Sequence, residues 1–198
     1  MQNIPVFNFI TTIKYGICLF GLIPMTTENN PIMENSTHQT GKYIIFIIVA
    51  GLIVWLDQFT KALVLKQLAL YQSIIIIPGF LNLTHVHNPG GAFGFLASNG
   101  SILRPVVFLG AAIFALGLIL YFHHKTPGTY RFLSTALAMV FGGAIGNLID
   151  RFRMGVVVDF LDVYIGKYHW PAFNVADAAI TVGVGIFIFY IATNKLPN

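Results

Sequence analysis

The chain has seven acidic residues among 198, and it is 56% hydrophobic and only 9% charged, so each carboxylate is informative. Glu28 and Glu34 lie in a polar run near the N-terminus. The other five are aspartates, Asp57, Asp150, Asp159, Asp162 and Asp177, and all fall at or near the ends of long apolar segments. An ionisable group beside hydrocarbon is costly and marks a functional position by default; the plainer alternative is an interfacial carboxylate that faces water or pairs with a cation. Spacing separates the five. Asp57 and Lys61 are four apart on one helix face and are placed to pair, which makes Asp57 a structural or positioning group. Asn147, Asp150 and Arg151 close another apolar segment, and a carboxylate beside an arginine is expected to pair with it and stay charged. Asp162 has no evident partner and reads as a solvated acid. Asp159, in VVVDFLDV, and Asp177, one turn after Asn174 in FNVADAAITVGVG, remain.

Burial raises a carboxylate's pKa, and contact between two carboxylates raises one of them further, so a desolvated pair shares a proton. The ionised member can activate water while the protonated member polarises a carbonyl, which is the chemistry of aspartic peptidases. Two acids in a transporter relay protons equally well, and spacing alone does not choose between these readings. Other chemistries fit less well. There is no HEXXH and no G-x-S-x-G. Ser98 and Ser101 lie in a loop without an evident base, and a dyad of serine with Lys61 has no support. His85-Val86-His87 would point two imidazoles to one side of a strand; an interfacial strand is preferred to a metal pair. The single cysteine, Cys18, excludes an internal disulfide and a Cys-rich metal site.

These residues must be carried by membrane-spanning helices. The mean hydropathy is +0.76, and too few polar residues exist to clothe a soluble globule. Four segments are long and apolar enough to cross a bilayer, at about 43–65, 102–122, 132–149 and 173–193. The net charge of +4 is spread over single basic residues and carries no nucleic-acid footprint. Lys42, Lys125, Arg131 and Lys195 predict cytoplasmic termini and a cytoplasmic 123–131 connection. The 66–101 and 150–172 connections then lie outside, and both read as β-strands. Ile74–Ile77 is β-branched, Phe80–His87 and Val156–Ile165 alternate, and Pro78-Gly79 and Pro89-Gly90-Gly91 punctuate them. The expected fold is an all-α membrane protein, a four-helix transmembrane bundle with a small β-sheet cap on its outer face. Gly142, Gly143 and Gly146 with Ala138, and Ala179 with Gly183, predict close helix packing. Trp55, Tyr168 and Trp170 suit an interfacial belt. A further apolar stretch, Pro5–Met25, is interrupted by Lys14. It reads as a signal or extra helix or, preferably, either as sequence ahead of a translation start at Met33 or as a dispensable extension. This leaves residues 1–40 as an extension and 41–195 as one domain.

Five segments now form a pattern: D-Q-F-T-K at 57–61, N-P-G-G-A-F at 88–93, G-N-L-I-D-R at 146–151, V-V-D-F at 157–160 and F-N-V-A-D at 173–177. Their order and spacing over residues 40–195 resemble the lipoprotein signal peptidase family, also called signal peptidase II. The resemblance implies a monomeric, multi-pass aspartic endopeptidase of the bacterial cytoplasmic membrane, without metal or organic cofactor. Its substrates would be diacylglyceryl-modified prolipoproteins, cut before the lipidated cysteine, and globomycin-type cyclic peptides would inhibit it. By resemblance Asp159 and Asp177 are the catalytic dyad near the outer leaflet. Asn88, Gly90, Asn147, Arg151 and Asn174 support the substrate, and Asp57, Lys61 and Asp150 hold the structure. Gly91 stands where the family often has alanine, a small departure. The 85–97 loop is expected to act as a lid. A proton-coupled transporter, the rival reading, needs acids near the bilayer midplane or spread across it; here they cluster toward one side.

Overall fold

Backbone that crosses hydrocarbon must satisfy its own hydrogen bonds, and the long apolar runs do so as helices. The computed structural model describes residues 31–90 and 103–196. The apolar stretch at 5–25, Cys18, Glu28, Gly91, Ser98, Ser101 and the 91–97 part of the expected lid lie outside the described residues. The helices are α1 (Pro31–Gln67), α2 (Leu103–Lys125), α3 (Arg131–Met154) and α4 (Val175–Ala192). Each contains a stretch long and apolar enough to cross a membrane. Two boundaries differ from expectation by more than three residues. Helix α1 begins well before Tyr43, because the polar run NSTHQTGK continues the helix. Helix α3 runs past Ile149 to Met154, so the first residues of the expected 150–172 connection are helical. Apolarity marks hydrocarbon depth, whereas this helix ends where Gly155 turns left-handed at φ 73° and donates its N–H to Arg151 O at 3.0 Å.

Between the helices, β1 (Ser73–Ile77), β2 (Leu81–Asn88), β3 (Val157–Ile165) and β4 (Tyr168–His169) pair antiparallel in that order. Val86 faces Asp159 across β2 and β3, so Asn88, two residues on, shares a face with Asp159. Val158 and Phe160 of β3 bury against Val64 and Leu68 at the end of α1, which fixes the sheet to the bundle. The aromatic and apolar residues Tyr71, Ile165, Tyr168 and Trp170 stay exposed around it.

Helix α3 is central: 56% of its apolar span is buried, against 11–17% in the others. Its small residues make this possible. A Cβ on Gly142 would meet Ala50 O of α1 at 2.7 Å, and one on Gly143 would meet Ala176 O of α4 at 2.5 Å. Gly183 of α4 lies equally close to Ala136 O, 2.6 Å from where a Cβ would stand. Backbone cannot yield as a side chain does, so Gly143→Ala must push the first turn of α4 away. It is expected to cost about 1–3 kcal/mol of stability, read as a lower unfolding midpoint in micelles. Gly110→Ala, where a Cβ meets nothing within 4 Å, is expected to leave the midpoint unchanged.

At the far end of the bundle, buried Lys42 donates to the carbonyls of His123 (3.0 Å), His124 (3.3 Å) and Thr126 (2.7 Å), capping the C-terminus of α2.

Candidate active site

The opposite end gathers the polar residues of the bundle. Lys61 of α1 is 1% exposed and uses its three protons on Asp57 Oδ2 (2.8 Å), Asp150 Oδ2 (2.8 Å) and Asn147 Oδ1 (3.0 Å). Buried ions persist only where their remaining hydrogen-bond capacity is met. Here Asp57 Oδ1 accepts from Ala176 N at 3.0 Å, and Asp150 Oδ2 accepts from Val158 N at 3.2 Å. Gln58 Nε2 serves Asp57 Oδ2 (3.2 Å), Asp150 Oδ1 (2.9 Å) and Gly146 O (3.1 Å). Gly146 has no side chain because Asp57 Oδ2 lies 2.6 Å from where its Cβ would be. The cluster therefore ties α1, α3, β3 and the start of α4 together.

The expected Asp57–Lys61 pair is present. The expected Asp150–Arg151 pair is not: Asp150 pairs with Lys61. Successive helix residues point in different directions; Asp150 turns inward, while Arg151 donates to Asn147 O at 3.1 Å and stacks over the Phe108 ring, 5.9 Å from its centroid. Asp162 is also not a solvated lone acid. It pairs with His169 Nδ1 at 2.8 Å and accepts from Asn82 Nδ2 at 2.9 Å. Burial would raise its pKa, but the hydrogen bonds from His169 and Asn82 outweigh that and hold it below the usual carboxylate range.

Asp159 and Asp177 stand beside this cluster. Asp159, on β3, is 2% exposed. Its Oδ1 accepts from Asn174 Nδ2 at 2.7 Å and its Oδ2 from Asn88 Nδ2 at 3.0 Å. Burial pushes its carboxyl up to about 6; the amide of Asn88 opposes this, the charge of nearby Asp177 adds to it, and Asn174 and Lys61 oppose it. Asp177 accepts from Asn147 Nδ2 at 2.7 Å. It lies in the first turn of α4, inside a reciprocal cap: Asn174 Oδ1 accepts from Asp177 N at 2.9 Å, and Asp177 Oδ2 accepts from Asn174 N at 3.4 Å. Asn174 thus both starts the helix and joins the two aspartates, its Nδ2 also reaching Asn147 Oδ1 at 3.2 Å. Gly90, at φ 82°, donates its N–H to Asn88 Oδ1 at 2.9 Å and so aims the Asn88 amide at Asp159.

Gln58 is the participant that sequence reasoning did not single out; an amide next to Asp57 inside an apolar helix was the available signal. The imidazoles of His85 and His87 bond each other, Nε2 to Nε2 at 3.1 Å. His85 Nδ1 donates to Leu68 O at 3.0 Å. Among the described residues no three His, Cys, Asp or Glu side chains cluster as metal ligands.

Four spanning helices that bring two carboxylates together at one end define a polytopic membrane protein with a paired-aspartate centre. The family model for signal peptidase (SPase) II matches residues 47–193, and the chain belongs to that family of membrane peptidases. The lipoprotein signal peptidase of Desulforapulum autotrophicum is 52% identical over 151 residues, which cover 76% of this chain and 93% of that protein. That of Syntrophus aciditrophicus is 50% identical over 141 residues, 71% and 88% of the two chains. A solved bacterial membrane enzyme superposes with a TM-score of 0.68 at 34% identity, covering 76% of this chain and 88% of its own.

Proposed function

We propose that this protein removes the signal peptide from diacylglyceryl-modified prolipoproteins, cutting before the lipidated cysteine, with Asp159 and Asp177 as its catalytic dyad. The observation that carries this reading is the pair itself, two carboxylates from β3 and α4 joined by Asn174 and each held by an oriented amide. A water between them is activated by one carboxylate as it attacks the scissile carbonyl, while the other donates to the developing oxyanion. Asn88, Gly90, Asn147, Arg151 and Asn174 fix the geometry and offer donors to the substrate backbone. Beside Arg151 a cavity of about 390 Å³, lined by Pro89, Phe108, Leu148, Phe152 and Gly155, is open to an apolar portion of the substrate.

The setting is the bacterial inner membrane, with both termini cytoplasmic and the dyad near the outer leaflet. Residues 41–195 form the working unit, a monomer in contact with lipid, and residues 1–40 are an extension to it. Globomycin-type peptides inhibit it by occupying the space between the aspartates. The decisive experiment incubates the purified full chain, in lipid, with a diacylglyceryl-modified prolipoprotein and with its unmodified precursor. Cleavage of the first before its cysteine, and not of the second, is expected; absence of cleavage from both overturns the reading.

A further inference from the structure

We propose that Lys61 is a positioning residue which, through the amide of Asn147, keeps Asp177 as the carboxylate that receives the proton of water and leaves Asp159 as the one that carries the shared proton. This rests on the peptidase reading above.

An ammonium group only donates, so the Asn147 atom 3.0 Å from Lys61 Nζ is the amide oxygen. Asn174 Nδ2 donates to the same oxygen at 3.2 Å. With the oxygen claimed twice, the NH₂ of Asn147 has to face Asp177 Oδ1, 2.7 Å away. Asn88 and Asn174 are oriented differently, each by a backbone N–H close in sequence, from Gly90 and Asp177. Asn147 alone takes its orientation from a charge on another helix. Lys61 itself is held between Asp57 and Asp150, so its position as a donor is fixed.

The Asn147 amide faces Asp177 Oδ1, and Asp177 stands in the first turn of α4, where free backbone N–H groups gather, so the surroundings of Asp177 are built of fixed donors. Asp159 receives two amide donors and feels the charge of Lys61, but it sits on a strand with no helix terminus, is 2% exposed, and its burial outweighs these effects. The charged groups facing the pair are Lys61 and Asp57 from α1 and Asp150 and Arg151 from α3. Only Lys61 reaches a dyad aspartate through a single intervening side chain.

The reaction then runs in one sense. Water bonds through its oxygen to the carbonyl carbon and passes a proton to Asp177. The C=O electron pair moves to the carbonyl oxygen, which takes the proton of Asp159. On collapse that proton returns to Asp159, the C–N bond breaks, and Asp177 delivers its proton to the leaving amine nitrogen.

Lys61→Met alone strands two buried carboxylates and tests only folding. The informative variant combines Lys61→Met with Asp57→Asn and Asp150→Asn, which removes the charges together and keeps oxygens for Ala176 N and Val158 N. It is expected to fold, to keep KM within about twofold, to lose about ten- to a hundredfold in kcat, and to move the acid limb of the kcat profile, because the Asn147 amide is no longer held facing Asp177. A folded variant with wild-type kcat and an unmoved acid limb overturns the proposal. A second measurement needs neither that variant nor a substrate. In infrared titration of the full chain, a carboxylic acid band of Asp159 is expected to grow in as pH falls through about 6. It is expected to vanish in Asp159→Asn and persist, at lower pH, in Asp177→Asn; the reverse pattern overturns the assignment. Failure of the wild type to cleave any prolipoprotein would remove the peptidase reading and leave the infrared result standing.

Discussion

Asp159→Asn and Asp177→Asn each lower the rate of prolipoprotein cleavage by about three orders of magnitude or more, with the unfolding midpoint in micelles held near that of the wild type. Both substitutions keep side-chain shape and one amide oxygen to accept from Asn174 or Asn147, while the acid–base function is gone. Asp162→Asn is the comparison. Its carboxylate serves His169 and Asn82, away from the dyad, and the rate is expected to stay within about twofold of wild type. The measurement is the initial rate of signal-peptide release by the three purified variants. Near-normal activity in either folded dyad variant contradicts the mechanism; a dead Asp162→Asn would extend the site to the sheet edge.

The largest expected loss of stability comes from Asp57→Ala. Asp57 is fully buried, and its two oxygens serve Lys61, Gln58 and the backbone of Ala176. Removing it leaves the Ala176 N–H without a partner in a dry interface and unbalances the charge around Lys61. Breaking a buried pair from one side costs about 3–5 kcal/mol. Reversible denaturation in micelles should show that loss, and activity should fall with the folded fraction. A cost under about 1 kcal/mol would mean that the cluster is wet and weakly coupled.

Much of this site was legible because helix spacing is local. The four-residue step from Asp57 to Lys61 puts both on one face, and the structure places them 2.8 Å apart. Asp159 and Asp177 were left once Asp57 and Asp150 had been read as paired and Asp162 as solvated. The small residues of α3 and α4 announced the helix contacts that Gly143 and Gly183 make. What the sequence could not reveal was pairing across distance. Asp150 has an arginine next to it in the chain, yet its partner is Lys61, because adjacent helix residues diverge and the folded bundle supplies the cation. Asp162 finds Asn82 from 80 residues away, once β2 and β3 have paired. The length of α1 was likewise hidden, since polar residues at its start continue the helix beyond the apolar stretch.

The tie from Asp57 to the backbone of Ala176 spans 119 residues. During synthesis, α1 enters the bilayer long before α4 is made, so Asp57 and Lys61 wait in the membrane without the segment that completes their surroundings. Asp159 likewise precedes Asn174, which orients it, and Asp177, which pairs with it. With Asp159 and Asp177 as the proposed dyad, a nascent chain that has inserted three helices holds half of it and is expected to be inactive. On that proposal, hydrolytic competence waits for the docking of the last helix, which supplies Asn174, Asp177 and the Ala176 N–H that Asp57 accepts from.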